Sequence, residues 1–292
     1  MIPLLKKYQN GNYNINIFDD GTKIREYENS LIPEYPESID VKITDYCNAN
    51  CQFCHEQSTI NGKEGDLNFG LKLLSDLPTG TELAIGGGNP FSHLSLFEFL
   101  KNLKQFGIFS NITINALHLK EYQTHIEEYI QLDYIKGLGI SYWKLYDFEF
   151  LKYQNVIFHL IMGIHSIADV EKLITKYPNV KILLLGYKKF GRGIDYYSKR
   201  VEENLYDWFT KIHTLFNRNI TLSFDNLAIF QLQLRRFFTK KQWENFYMGG
   251  DGKFTMYIDL VKQEYAKSST SLKRFNIKNN NIKKIFMHIR SL

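Results

Sequence analysis

The sequence predicts an α/β fold, a partial barrel of the (β/α)6 type with an amino-terminal β-hairpin and a carboxy-terminal α+β cap. Three observations carry this. Across residues 38–224, short β-rich runs alternate with helical patterns, the rhythm of βα units around a parallel sheet. Before them, Tyr13, Ile15 and Ile17 alternate with polar residues, followed by Asp20-Gly21 and Ile24, which reads as a hairpin with a tight turn. After Phe224 the rhythm breaks. The expected units are therefore 1–34 for the hairpin extension, 35–228 for the barrel and 229–292 for the cap.

The strands are expected at 39–44, 82–85, 111–115, 136–141, 156–162, 180–185 and 220–224, each a short run rich in β-branched or aromatic residues. Between them, Leu96, Phe99, Leu100 and Leu103 recur at helical spacing, with Ser95 and Glu98 as a capping box and Gly107 as a stop. Ser166 and Asp169 open another helix, whose apolar face is Val170, Leu173 and Ile174. A longer helix carries Val201, Leu205, Trp208, Phe209, Ile212 and Phe216 on one side. In the cap, a helix is expected over 231–247, then a glycine-rich turn at 248–252, then a strand over 254–260.

The composition is that of a globular chain: of 292 residues, 44% are apolar and 23% charged, which excludes disordered and fibrous classes. Apolar stretches such as 156–164 are too short to cross a bilayer, and the amino terminus lacks a long hydrophobic signal core. The expectation is a cytoplasmic protein that does not enter a membrane. The formal charge of +5 is densest in 273–290, which reads as a solvated segment.

Cysteine says more. The chain has 3 cysteines, Cys47, Cys51 and Cys54, directly after the first barrel strand. They cannot form a closed set of disulfides, and in a cytoplasmic chain such a cluster reads as a metal site. On the loop at the carboxyl end of a barrel strand, three thiolates suffice for three irons of a cubane and leave the fourth iron without a protein thiolate. A mononuclear zinc site of these cysteines with His55 is the other reading of the same residues.

The C-x3-C-x2-C spacing with an aromatic, Phe53, before the last cysteine resembles the signature of the radical S-adenosylmethionine (SAM) superfamily. That resemblance implies one 4Fe-4S cluster on Cys47, Cys51 and Cys54, with SAM on the open iron. It also implies reductive cleavage of SAM to methionine and a 5′-deoxyadenosyl radical, which takes a hydrogen atom from the substrate. Gly87-Gly88-Asn89-Pro90 resembles the family's Gly-Gly-Glu-Pro motif at the end of the second strand, with Asn89 in place of Glu. Asn keeps a carbonyl acceptor and loses the charge. Asn115 resembles the Asn ending the third strand, Ser141 the Ser ending the fourth, and Gly163 lies where the fifth strand contacts adenine.

Asp225, after the last strand, is the candidate substrate-facing residue, because polar groups at strand ends point into the mouth of a barrel. The cap adds Arg235, Arg236, Asp251, Tyr257, Asp259, Lys262 and Ser268. With no cysteine after Cys54, a second thiolate-held cluster is excluded. Residues 54–59 with 62–66, and 251–259 with 268–270, further resemble a radical SAM group of bacteriophages and some bacteria. The family implies an external electron donor of flavodoxin or ferredoxin type. The substrate class stays open among a peptide, a nucleoside and a small metabolite. A nucleic-acid substrate predicts a basic stripe of Arg192, Arg235 and Arg236; a peptide predicts an open sheet edge. The alternative is a non-catalytic SAM- or metal-binding module.

Overall fold

The computed structural model describes residues 2–143, 155–278 and 281–292. The amino-terminal segment is a three-stranded antiparallel meander, β1 (Leu4–Asn10), β2 (Tyr13–Phe18) and β3 (Lys23–Glu26). The expected hairpin is β2 and β3. β1 was not legible because only its last residues are buried, so its hydrophobic alternation is weak. Tyr8, Tyr13, Ile15 and Ile17 pack with Phe254 into a small core of their own.

All seven barrel strands are present: β4 (Ser38–Thr44), β5 (Glu82–Gly87), β6 (Phe109–Asn115), β7 (Gly137–Ser141), β8 (Val156–Ile161), β9 (Lys181–Leu185) and β10 (Thr221–Phe224). Each pairs in parallel with the next. Three more strands, β11 (Thr255–Asp259), β12 (Glu264–Ala266) and β13 (Phe275–Asn276), complete an open sheet of order β10-β9-β8-β7-β6-β5-β4-β11-β12-β13. The sheet does not close, so the barrel is partial. β11 runs parallel to β4, and the segment expected as a cap thus also extends the sheet beyond its first strand.

The helices are α1 (Leu67–Leu74), α2 (Leu96–Gln105), α3 (Gln123–Gln131), α4 (Ile167–Lys176), α5 (Arg192–Tyr196), α6 (Lys199–Lys211), α7 (Asn226–Leu232), α8 (Lys240–Phe246) and α9 (Ile282–Ser291). The Ser166–Asp169 capping box forms, whereas Ser95 makes no side-chain cap. The helix expected over 231–247 is broken. Gln233 adopts φ +50°, ending α7 with a left-handed residue, and a short 3-10 turn separates it from α8.

Strand alternation decides what lies on each face of the sheet. Residues such as Ile39, Val41, Ile43, Leu83, Ile85, Ile112, Ile114, Leu138 and Ile140 point outward into one core with the helices. Each such side chain contributes about 1.5–3 kcal/mol by burial. The opposite rows are polar or small, among them Asp40, Lys42, Ala84, Gly86, Asn111, Thr113 and Asn115. Asp40 stays exposed in the middle of β4, between buried Ile39 and Val41. A Cβ built on Gly86 would meet nothing within 4 Å. The concave face is therefore an open, polar chamber rather than a filled core.

Candidate active site

The cysteine loop leaves the carboxyl end of β4 and is held on two sides. Backbone bonds Cys47 N to Thr59 O (2.9 Å), Cys54 N to Cys51 O (3.2 Å) and Gln57 N to Cys54 O (3.3 Å) fold it into tight turns. From the start of α5, Arg192 donates through its own amide to Cys54 O (3.1 Å), through Nε to Cys51 O (3.0 Å) and through Nη2 to Ser58 O (3.0 Å). Gly191, just before it, has φ +52°, and a Cβ there would stand 2.5 Å from His55 O. Only glycine permits that approach. Arg192, which a nucleic-acid substrate would place in a basic stripe, clamps the cysteine loop instead. Arg235 and Arg236 do not join it, since they donate to Phe238 O and Phe209 O.

From below, buried Lys42 reaches up the chamber wall to Asp45 Oδ1 (2.5 Å), Glu56 Oε2 (2.8 Å) and Asp259 Oδ2 (3.6 Å). Burial by itself lowers the pKa of this lysine, but Glu56, Asp45 and Asp259 more than offset it and hold the pKa above the usual range. Nothing in the sequence marked Lys42, because its role needs β11 beside β4. Glu56 also contacts His55 (3.3 Å), and Lys188 Nζ stands 3.1 Å from His55 Nε2.

All three cysteines are half-buried and free. Burial pushes the Cys51 thiol up to about 11, the neighbouring thiols of Cys54 and Cys47 push further, and Arg192 opposes them. Cys47 is raised in the same way by burial. Among the described residues, no three His, Cys, Asp or Glu side chains converge as one metal ion requires. A cubane makes no such demand, because each thiolate binds a different iron. With His55 turned to Glu56 and Lys188, the residues present fit a three-thiolate cluster better than a mononuclear zinc ion.

The other expected residues gather around this loop. Gly88 N donates to Thr44 O (2.7 Å) and Asn89 N to Tyr46 O (2.6 Å), so the glycine turn after β5 lies against the residues preceding Cys47. Gly87 has φ +113°, and a Cβ on Gly88 would come within 2.0 Å of Tyr46 O. Asn115, at the end of β6, donates from Nδ2 toward Cys51 Sγ (3.7 Å) and accepts from Leu117 N (3.0 Å). Ser141 ends β7 in register with Asn115 and His159. Gly163 follows β8 at φ +84°, packed against Val201 and Tyr187, with its carbonyl taken by Asn204 Nδ2 (3.1 Å).

Asn89 is 2% exposed, and neither Oδ1 nor Nδ2 has a hydrogen-bond partner. Tyr122 approaches the amide without reaching hydrogen-bond geometry. A buried amide with both ends unsatisfied costs several kcal/mol in total, about 1–3 per group, unless a ligand completes it. Phe53 stacks on Trp143 (5.9 Å between centroids) and meets Tyr196 edge-on. It lines a cleft with His55, Ile161, Ile164, Leu185 and Lys188 beyond the ends of β8 and β9. The cleft offers an aromatic edge and apolar walls for a flat heterocycle.

Asp225 is committed elsewhere by one oxygen. Its Oδ1 accepts from Ala228 N (2.7 Å) and Gly186 N (3.0 Å), capping α7 and tying it to the end of β9. Burial nonetheless raises its pKa.

No family model matches the chain, and no curated protein matches it. Solved structures do. SuiB of Streptococcus suis bound to the precursor peptide SuiA superposes with a TM-score of 0.60 at 15% identity, over 89% of this chain and 68% of that one. SuiB bound to S-adenosylmethionine gives a TM-score of 0.59 at 16% identity, over 89% and 69%. At such identities the likeness establishes the fold alone, an α/β fold built on a large, mostly parallel open sheet. Among the described residues, no helix is long and apolar enough to cross a membrane.

Proposed function

We propose that this chain is a radical SAM enzyme that holds one 4Fe-4S cluster through Cys47, Cys51 and Cys54 and binds SAM beside it. The observation that carries the reading is the buried, unpartnered Asn89 amide, set on the glycine turn that is hydrogen-bonded to the start of the cysteine loop. Cluster and SAM together would supply a 5′-deoxyadenosyl radical able to abstract hydrogen from a substrate in the chamber.

The chain's own residues bind and orient. Asn89 Oδ1 would accept from the SAM ammonium, and Gly87 and Gly88 would let the backbone approach closely. Asn115 directs an N–H at Cys51 sulfur, which favours the charge a thiolate ligand carries. Phe53, Ile164 and Leu185 would offer aromatic and apolar surface to the adenine ring, and Ser141, at the end of β7, would contact the ribose or carboxylate. Arg192 and Lys42 fix the loop against the sheet. An external donor of flavodoxin or ferredoxin type is required, because one cluster cannot renew its own electron. The SuiB structure with a bound precursor peptide supports a peptide among the substrate classes.

Anaerobic reconstitution tests the proposal. About four iron and four sulfide per chain are expected, absent in the Cys47→Ala, Cys51→Ala, Cys54→Ala triple variant. Dithionite and SAM should then yield 5′-deoxyadenosine and methionine. Stoichiometric zinc without sulfide in protein purified free of oxygen would overturn the reading. SAM binding that never yields 5′-deoxyadenosine under any reductant would favour the binding module.

A further inference from the structure

The chamber below the cysteine loop has a charge pattern that cluster and SAM do not use. Its cations are engaged. Lys42 is matched by three carboxylates, and Lys188 donates to His55 and to Ser269 Oγ (3.0 Å). Arg274 donates to Ser269 O (2.7 Å) and lies over the Tyr257 ring, 4.8 Å from its centroid. Asp40, by contrast, makes no hydrogen bond or ion pair among the described residues, although it projects from the middle of a central strand. Asp251, Asp225 and Glu56 all lie within electrostatic reach of it, opposed by the ammonium of Lys188.

Two independent features indicate that the space in front of Asp40 is for a ligand. Tyr257, its register partner on β11, is 3% exposed, and its hydroxyl makes no hydrogen bond of good geometry, although the Arg274 guanidinium stands beside it. That phenol sits near Glu56 and Asp259, so it can donate to a carboxylate and accept from an incoming N–H. On the other side, the register partner is Ala84, and Gly86 one row above opens onto empty space. Small residues on β5 and an unpaired carboxylate on β4 leave a recess with an acceptor at its wall. Asp40 lies four residues before the end of β4, about 13 Å along the strand at roughly 3.3 Å per residue.

We propose that the chamber takes a substrate carrying a primary ammonium group, seated against Asp40 with Tyr257 as a second acceptor. This deepens the radical SAM reading by naming a substrate class, but the binding step does not depend on that chemistry. An ammonium deep in the recess leaves the carbons of its alkyl chain directed up toward the cysteine loop. An anionic substrate is disfavoured, since Lys42, Lys188 and Arg274 already have partners while the Asp40 carboxylate has none among the described residues.

The test uses the anaerobically reconstituted 292-residue chain and isothermal calorimetry. The probes are Nα-acetyl-lysine methylamide, its Nε-acetylated counterpart, the corresponding glutamate derivative, and cadaverine. The lysine probe or cadaverine should bind at least tenfold more tightly than the neutral and acidic probes. Asp40→Asn should abolish that preference without lowering the melting temperature, and Asp40→Glu should retain part of it. Tighter binding of cadaverine assigns a free amine, and tighter binding of the lysine derivative a peptide side chain; both support the proposal. No ammonium preference, a preference untouched by Asp40→Asn, or tighter binding of the glutamate probe would overturn it. Iron content and 5′-deoxyadenosine release are measured in parallel, so that loss of the radical reading is seen separately from loss of this one.

Discussion

Arg192 Nε donates to the carbonyl oxygen of Cys51 at 3.0 Å, across 141 positions of sequence. The same guanidinium reaches Ser58, so one side chain from α5 sets the shape of the loop that carries all three cysteines. Hydrogen bonds from a charged donor are worth about 1.5–3 kcal/mol each. Arg192→Ala should lower the melting temperature and the iron retained per chain. Arg192→Lys should not restore either, because a single ammonium lacks the fork that spans two carbonyls. Iron analysis beside differential scanning fluorimetry checks this; full cluster loading in the alanine variant would refute the clamp.

Asn89 gives an opposed pair of outcomes. Replacing the unpartnered amide by Leu removes buried polar atoms that the ligand-free protein does not satisfy. Asn89→Leu should therefore stabilise the ligand-free protein by about 1 kcal/mol, yet weaken SAM binding at least tenfold. Asn89→Glu should bind SAM no less tightly than the native chain, because a carboxylate meets an ammonium more strongly than an amide does. Equilibrium dialysis with labelled SAM and urea denaturation supply the two readouts.

Gly86 and Gly88 separate space from backbone. A Cβ on Gly88 collides with Tyr46 O, so Gly88→Ala should destabilise the fold outright. A Cβ on Gly86 meets nothing, so Gly86→Ala should leave stability unchanged or raise it by about 0.4–1 kcal/mol. Gly86→Leu should fold and block the chamber, suppressing substrate-dependent turnover. Equal destabilisation by both alanine variants in thermal melts would contradict the open recess.

Asp40 couples stability to pH. Although solvent reaches the side chain, the surrounding chamber walls desolvate it and push its pKa up to about 6, with Lys188 opposing and Asp251, Asp225 and Glu56 adding. The folded state thus holds this proton more tightly than the unfolded chain, whose aspartates titrate near about 4. Between these values stability falls as pH rises, and the penalty is complete above the folded pKa. Asp40→Asn should raise the melting temperature at pH 7.5 and have little effect at pH 4. A variant less stable at pH 7.5 would show that the carboxylate has a structural partner.

The sequence by itself determined the order of the βα units, because outward-facing Ile, Val and Leu at period two and helical stripes between them leave few other folds. It also placed Cys47, Cys51, Cys54 and the glycine turn on one rim, since successive parallel strands end on the same side. It could not show β1, whose exposed residues carry little alternation, nor the break at Gln233, where a left-handed residue interrupts an otherwise helical pattern. The tertiary structure alone decided the rest. Arg192 reaches Cys51 and Ser58, and Lys42 meets Asp259, only once distant strands and helices are in place. Whether Asp40 has a partner, and whether Gly86 faces a neighbour or empty space, depends on distances across the chamber, and those are properties of packing that no local pattern encodes.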